Sequence, residues 1–483
     1  MKNKTMLTDL YELTMAQGYF NKGKREEAVF DLFYRSNPCN HGYAIFAGLN
    51  QAVEFLNNFN YTEDDLEFLA NQDFDPEFLD YLRNFEFTGD VFAVPEGSVV
   101  FPHEPLLKVK APILQAQLLE TTLLNIINHQ SLIATKAARI VTAAQDRKVL
   151  EFGLRRAHGP DAGYYGARAA VIGGCHGTSN VLAGKDFDVS ISGTHAHSWI
   201  MTFESELEAF RTYANNFPHS CILLVDTYDT LESGVPNAIK VFKEMKAEGI
   251  EPDTYGIRLD SGDLAYLSKK ARKMLDEAGL EDAIIVASSS LDEEIITSLD
   301  QQDDQIDVFG VGTKLITSSS CPSFGGVYKL SAYNNKPKIK ISDNVEKITN
   351  PGEKRLLRIY DRENDKMIAD LMVLAEEKLS EDEELELFDP RDTWKKTTLA
   401  PGSYKIREMH EQIFKDGKCV YKYPEVNAIK SYCEKEKNSL WEEYKRLINP
   451  HIMKVNLSHK LYDLKQELLT ENGLSPGMNG REK

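Results

Sequence analysis

Apolar positions along this chain follow two rhythms. Between residues 149 and 317, short runs rich in Val, Ile and Leu recur, and each ends in a polar cluster. In order they are VLEFGLRRAHG (149–159), FDVSISGTHAHSW (187–199), CILLVDTYDT (221–230), YGIRLDSGDL (255–264), AIIVASSSLD (283–292) and DVFGVGTKLI (307–316). Stretches of helical periodicity separate most of them. Continuous apolar runs alternating with helices predict buried parallel strands in a β/α array. In such arrays ligands meet the carboxyl ends of the strands. Here those ends carry Arg, His, Asp, Ser, Gly and Lys, a set suited to phosphate chemistry.

The flanking regions have other textures. Residues 5–20 and 43–58 have helical spacing, and AVFDLFY (28–34) predicts a strand. FAVPEGSVVFPHEPLLKVKAP (92–112) alternates apolar and polar residues between Pro/Gly turns, which predicts antiparallel strands. A long helical stretch covers 113–145. Short strands with polar turns are expected over 336–374, an acidic surface segment over 376–389 and charged helices over 426–470. The end, ENGLSPGMNGREK, is expected to fray. The fold class is therefore α/β. It comprises an α+β open-sandwich N-terminal domain (1–112), an irregular β/α barrel that is the catalytic domain (113–330), and a C-terminal extension of strands and helices (331–483) with the option of packing back on the N-terminal domain.

Composition narrows the function classes. At 483 residues the chain exceeds one ordinary core. A net charge of −19 disfavours nucleic acid and anionic membrane as partners. An anionic substrate then needs a locally basic pocket, for which Arg155, Arg156, Arg168, Arg258 and Lys314 are the candidates. No apolar run reaches the roughly 20 residues of a membrane span. The opening residues lack a signal-peptide core. Six scattered cysteines without a CxxC pair fit a reducing, cytoplasmic setting.

The polar clusters divide by chemistry. GTHAH places Thr194, His195 and His197 at one strand end. The pair of imidazoles has three readings: one buried structural and one exposed histidine, the start of a zinc site, or a nucleophile that carries a phosphoryl group. In the third, Asp226, Asp229 and Asp260 are candidate partners for the ring. Gly310, Gly312 and Thr313 are the phosphate-cradle candidates, with SSS (288–290) on the preceding strand end. Asp226 and Asp260 are candidates for Mg²⁺ or a ribose hydroxyl, whereas Asp260, Ser261 and Asp263 equally suit helix caps. Arg258 either pairs with Asp260 or clamps a substrate anion. The segment 155–180 is read as an anion-binding loop, with Arg155 the preferred contact. Lys136 and Arg139 are read as a solvated helix face or as added cations.

At these clusters the sequence resembles the nicotinate phosphoribosyltransferases. The motifs, in family order, are LTDLYELTMAQGY (7–19), FDLFYR (30–35), EFGLRRAHGPDAG (151–163), GTHAHSW (193–199), VDTYDT (225–230), IRLDSGDL (257–264), FGVGTKL (309–315) and PSFGGVYKL (322–330). The resemblance implies a type II phosphoribosyltransferase fold. It implies that nicotinate and phosphoribosyl pyrophosphate become nicotinate mononucleotide and pyrophosphate, coupled to ATP hydrolysis, with Mg²⁺, in the first step of NAD salvage from nicotinate. It also implies a homodimer with shared active sites. By motif, His197 resembles the autophosphorylated residue, Thr194 and Arg258 resemble nicotinate contacts, and Thr313 a phosphoribosyl contact. Tyr11 resembles the tyrosine that stacks on the pyridine ring from the other subunit. His195 occupies a position that the motif leaves variable. The rivals are a nicotinamide or quinolinate phosphoribosyltransferase and, on HAH alone, a metal-dependent amidohydrolase.

Overall fold

A computed structural model describes residues 3–473. Beyond Gly473 the segment expected to fray lies outside the described residues. The chain divides into two compact units. One comprises Met1–Leu132, Ser323–Pro424 and Ser431–Lys483, and the other Ile133–Pro322 with Glu425–Lys430. These boundaries differ from those expected at 112 and 330. Helix Glu120–Ala144 runs unbroken through the division at Leu132, its twenty-five residues containing neither Pro nor Gly.

The first unit is built on a seven-stranded sheet. Strand Glu27–Tyr34 pairs antiparallel with Leu107–Pro112 on one side and Gly326–Tyr333 on the other. The C-terminal strand Glu411–Lys415 adds to Asp90–Ala93 in the same sheet. A second sheet of four strands contains the hairpin Lys354–Asp361 and Met367–Leu374. One apolar core, including Phe30, Leu32, Tyr34, Phe46, Phe78 and Tyr328, lies beneath both sequence-distant parts. Arg358 is fully buried here and is neutralised by Asp370 (2.7 Å) and Glu436 (2.7 Å). The acidic segment 376–389 is not wholly a surface one, since Leu385, Leu387 and Phe388 turn inward from strand Leu385–Phe388.

The second unit holds the parallel sheet expected from the apolar runs. Six strands lie in the order Gly177–Thr178, Lys148–Glu151, Val308–Val311, Ile284–Ser288, Thr254–Leu259 and Ser220–Leu224. Every neighbouring pair is parallel. Followed in chain order the strands run around a ring, and the ring stays open between Gly177–Thr178 and Ser220–Leu224. The architecture is thus a half-barrel rather than a closed barrel. Leu150, Ile222, Ile284, Val286 and Val308 form an apolar cluster on this sheet.

The opening falls on the run that sequence placed as a strand over 187–199. Only Ile191 of that run bridges the sheet, onto Thr178. Ser192 donates to the Thr178 carbonyl (2.9 Å), and from Gly193 the chain leaves the sheet and enters helix His197–Met201. The expected anion loop at 155–180 is mostly helix Pro160–Gly173. Pro160 starts it with a fixed φ, and Gly174 ends it at φ 124°, a value that a side chain resists.

Candidate active site

Arg258 is the centre of the carboxyl-end cluster in the second unit. It sits one residue from the end of strand Thr254–Leu259, in register with Leu224 on one side and Val286 on the other. Its guanidinium donates in three directions. Nε reaches Ser288 Oγ (2.9 Å), one terminal nitrogen reaches Thr194 Oγ1 (2.7 Å), and the other reaches Asp260 Oδ1 (3.0 Å). The Ser288 hydroxyl also donates to Asp260 Oδ1. A planar fork held at three points has little orientational freedom left. Its side chain is 14% exposed, so a planar anion can still reach it.

Asp226 organises the next strand end. Its Oδ2 accepts from the Asp260 backbone N–H (2.9 Å) and the Ser261 hydroxyl (2.5 Å). Its Oδ1 is buried without a hydrogen-bond partner. Asp260 spends Oδ1 on Arg258 and Ser288 and turns Oδ2 towards His197, 3.9 Å from Nε2. The other ring nitrogen of His197, Nδ1, lies 3.1 Å from Thr227 Oγ1. The His197 side chain is 40% exposed. The structure thus brings Thr194, His197, Asp226, Arg258 and Asp260 together from three sequence-distant segments. Thr227, given no role from sequence, completes the cluster together with Ser288, which sequence had set beside the phosphate cradle.

The two histidines of GTHAH do not converge. The His195 ring is buried against Tyr213, 4.7 Å between centroids, and its Nε2 accepts the Leu224 backbone N–H (3.2 Å). Burial pushes its pKa down to about 4. The zinc-hydrolase reading needed both rings on one metal, and this separation removes its basis.

Other candidates divide sharply. Asp229 is a helix cap, with Oδ1 accepting from Leu231 (3.0 Å) and Glu232 (2.7 Å). Asp263 caps helix Leu264–Glu277 through the Tyr266 N–H (2.9 Å). Lys314 is paired with Asp292 at 2.9 Å, and Arg168 is buried with its guanidinium 5.8 Å from the Phe187 ring. Arg168 is thus closed to solvent, whereas the Lys314 side chain is 43% exposed beside its carboxylate partner. Lys136 and Arg139 do not lie on a solvated face either, because both grip the buried carboxylate of Glu293, at 2.6 and 3.3 Å. Arg155 and Arg156 are exposed on the short turn Leu154–Arg156, and among the described residues neither side chain has a hydrogen bond or ion pair. Thr313 is exposed at the first position of helix Thr313–Ile316. Gly310 has a packing reason to be glycine: a Cβ there would lie 2.6 Å from the Phe152 ring. At Gly312 the nearest atom to a Cβ is the Phe152 carbonyl oxygen, at 3.2 Å.

Sequence reasoning missed Glu151. Fully buried at the end of its strand, it accepts from the Thr178 hydroxyl (2.6 Å) and from the Gly153 backbone N–H. It thereby fixes the start of the Arg155 turn. The only sequence sign was an acidic residue inside an apolar run. In the first unit, Tyr11 is 44% exposed on helix Leu10–Asn21. Partial burial, then Glu120 and Glu12, push its phenol up to about 12.

Comparison with known proteins places this geometry. The description "Nicotinate phosphoribosyltransferase (NAPRTase) family" matches residues 147–369. The N-terminal domain of the same family matches 6–128 and its C-terminal domain 353–465. The nicotinate phosphoribosyltransferase of Bacillus subtilis is 47% identical over 470 residues, covering 96% of this chain and 95% of the relative. The crystal structure of human nicotinic acid phosphoribosyltransferase superimposes with a TM-score of 0.85 at 32% identity, covering 95% of this chain and 99% of that one. The nicotinate-nucleotide pyrophosphorylase of Pyrococcus furiosus shares the fold, with a TM-score of 0.70 at 24% identity over 91% of this chain and 97% of that one. Family, relatives and architecture agree along almost the whole length, and the chain belongs to the nicotinate phosphoribosyltransferase family.

Proposed function

We propose that this enzyme joins nicotinate to phosphoribosyl pyrophosphate, releasing pyrophosphate and nicotinate mononucleotide, in a reaction coupled to ATP through a phosphohistidine at His197. The reading places it at the entry of nicotinate into NAD salvage, in the cytoplasm. Among the described residues no helix is long and apolar enough to cross a membrane.

The single observation that carries the coupling is the setting of His197. Thr227 engages Nδ1 and leaves Nε2 on the side of Asp260, partly open to solvent. With the proton on Nδ1, the Nε2 lone pair attacks the terminal phosphorus of ATP. The bond from that phosphorus to the bridging oxygen breaks, and ADP leaves. In the second half of the cycle the phosphoryl group passes to water.

The transfer itself needs positioning more than acid–base chemistry. The pyridine nitrogen attacks C1 of the ribose while the C1–O bond to pyrophosphate breaks, through an oxocarbenium-like state. Arg258 and Thr194 receive the nicotinate carboxylate, and the exposed Arg155 receives substrate phosphate, as does Thr313 beside Gly310 and Gly312. Tyr11 stacks on the pyridine ring, contributed across a homodimer with shared sites.

The carboxylates fit a magnesium ion. Asp226 keeps one buried oxygen without a partner, and Asp260 directs one oxygen away from Arg258. Two carboxylates plus water is the usual donor set for Mg²⁺ on a phosphate substrate. Bound there, the ion supplies divalent charge beside the leaving pyrophosphate.

The test is incubation with γ-labelled ATP, followed by nicotinate mononucleotide formation with and without ATP. The expected result is an acid-labile, alkali-stable label that His197→Ala abolishes, together with loss of ATP stimulation while slow uncoupled transfer survives. Full ATP stimulation in His197→Ala would remove the assignment.

A further inference from the structure

We infer that His195 is a positioning residue for the catalytic segment, its imidazole standing in for the strand missing from the half-barrel. The inference rests on the proposed phosphoribosyl transfer at His197 and Arg258.

The open edge of the sheet is strand Ser220–Leu224. An edge strand presents unpaired backbone N–H groups, and a buried one needs a partner. At Leu224 that partner is His195 Nε2 rather than a carbonyl oxygen (3.2 Å). Two residues on, the same segment makes a second side-chain tie, from His197 Nδ1 to Thr227 Oγ1 (3.1 Å). The pairs 195–224 and 197–227 advance in the same direction, as a parallel ladder would. The segment is therefore registered along the strand end by two imidazoles, with no backbone pairing to that strand.

The backbone of His195 carries the other half of the argument. Its carbonyl accepts from Thr194 Oγ1 (3.3 Å) and from Arg258 (3.5 Å). Thr194 in turn accepts from Arg258 (2.7 Å). One residue thus ties the Leu224 edge on its side-chain face and the Arg258 fork on its backbone face. Packing fixes the ring between Phe210, 6.2 Å away, and Tyr213, 4.7 Å away. Because Leu224 donates, Nε2 must hold the lone pair and the ring proton sits on Nδ1. A cationic ring would set N–H against N–H. The depressed pKa keeps the ring neutral at physiological pH.

The chemical consequence follows from proximity. Thr194 and His197 lie one and two residues from the anchor, and misplacement by about 1 Å costs on the order of a hundredfold in rate. His195 touches neither reacting atom and acts through its neighbours.

The experiment compares His195→Leu with His195→Gln. Leucine keeps the bulk and removes the acceptor, whereas the glutamine carbonyl can reach the same N–H. Expected for His195→Leu is a fall of about tenfold or more in kcat/KM for nicotinate and in the phosphoenzyme formed from ATP, with His195→Gln within about threefold of wild type in both. A leucine variant with wild-type kinetics overturns the inference. So does a folded glutamine variant as impaired as the leucine one. A readout that needs no variant is nitrogen-15 NMR of histidine-labelled wild-type enzyme. The His195 ring should show protonated Nδ1 and bare Nε2 at pH 7, and the opposite tautomer overturns the inference. If the wild-type enzyme forms no nicotinate mononucleotide at all, the function reading fails, while the tautomer still decides the anchor.

Discussion

The hydroxyl of Thr227 stands 3.1 Å from Nδ1 of His197, and with this contact Nε2 lies on the side of Asp260. Thr227→Val keeps the shape and removes the hydroxyl. The expected outcome is a fall of about tenfold in the rate of phosphoenzyme formation, about 1.4 kcal/mol, from loss of the contact that orients the ring. Rapid-quench labelling with ATP measures it. A rate within twofold of wild type would show that Thr227 does not orient the ring.

Arg258 is held by Ser288, Thr194 and Asp260 at once. A lysine carries its three donors on one nitrogen and cannot reproduce the planar fork whose separate nitrogens reach these three partners. Arg258→Lys should raise the nicotinate KM by roughly tenfold to a hundredfold and change the KM for phosphoribosyl pyrophosphate much less. Steady-state kinetics with each substrate varied in turn checks the split.

Tyr11 offers a test of subunit sharing. Tyr11→Ala should raise the nicotinate KM by about tenfold, and Tyr11→Phe should not, since stacking needs the ring and not the phenol. If sites are shared, mixing Tyr11→Ala and His197→Ala subunits at nicotinate well below the wild-type KM raises ATP-stimulated activity above that of either variant alone, towards roughly a quarter of wild type, because mixed dimers assemble one intact site. Zero recovery after proven subunit exchange would place both residues in one subunit's site.

Magnesium dependence follows from the two carboxylates. Chelation should abolish nicotinate mononucleotide formation, and added Mg²⁺ should restore it. Asp226→Asn keeps an acceptor for the Asp260 N–H but loses charge, so about tenfold more Mg²⁺ should be needed. Titration of activity against Mg²⁺ measures the shift.

Stability should fall on mild acidification. Burial depresses His103, His195 and His410 from 6.5 to about 4 in the folded chain. Between those values the unfolded chain binds protons that the folded rings refuse, so stability present above pH 6.5 is lost as pH falls towards 4. Each contributes up to roughly 3 kcal/mol. Thermal midpoints measured from pH 7 to 4.5 should decline, and His195→Gln should flatten the curve.

The parallel strands were legible because five of the six runs are predominantly apolar and rich in Val, Ile and Leu. The sixth misled for a physical reason. Val189 and Ile191 give 187–199 a strand's texture, but Ile191 is 58% exposed, and the chain leaves the sheet at Gly193. Arg258, Asp260 and His197 were legible as a group because strand ends converge wherever strands are parallel. Which cations remain free was not. Lys314 and Arg155 have similar sequence settings, and only the fold reveals that Asp292 occupies the first. Thr227 and Glu151 lay hidden because their roles depend on partners thirty and twenty-seven residues away.

The six residues Glu425–Lys430 belong to the unit of the parallel sheet, although the chain on either side of them does not. Within that unit Asn427 donates to the Asp188 carbonyl (3.0 Å) and Lys430 to that of Cys175 (3.1 Å). Asp188 is in a left-handed conformation, and Cys175 stands two residues before the short strand Gly177–Thr178. The half-barrel is consequently not a heritable cassette. A fragment cut at 133 and 322 would lack two hydrogen bonds that brace the chain before and after its shortest strand, so recombination or truncation that spares every site residue would still deliver a loosened edge.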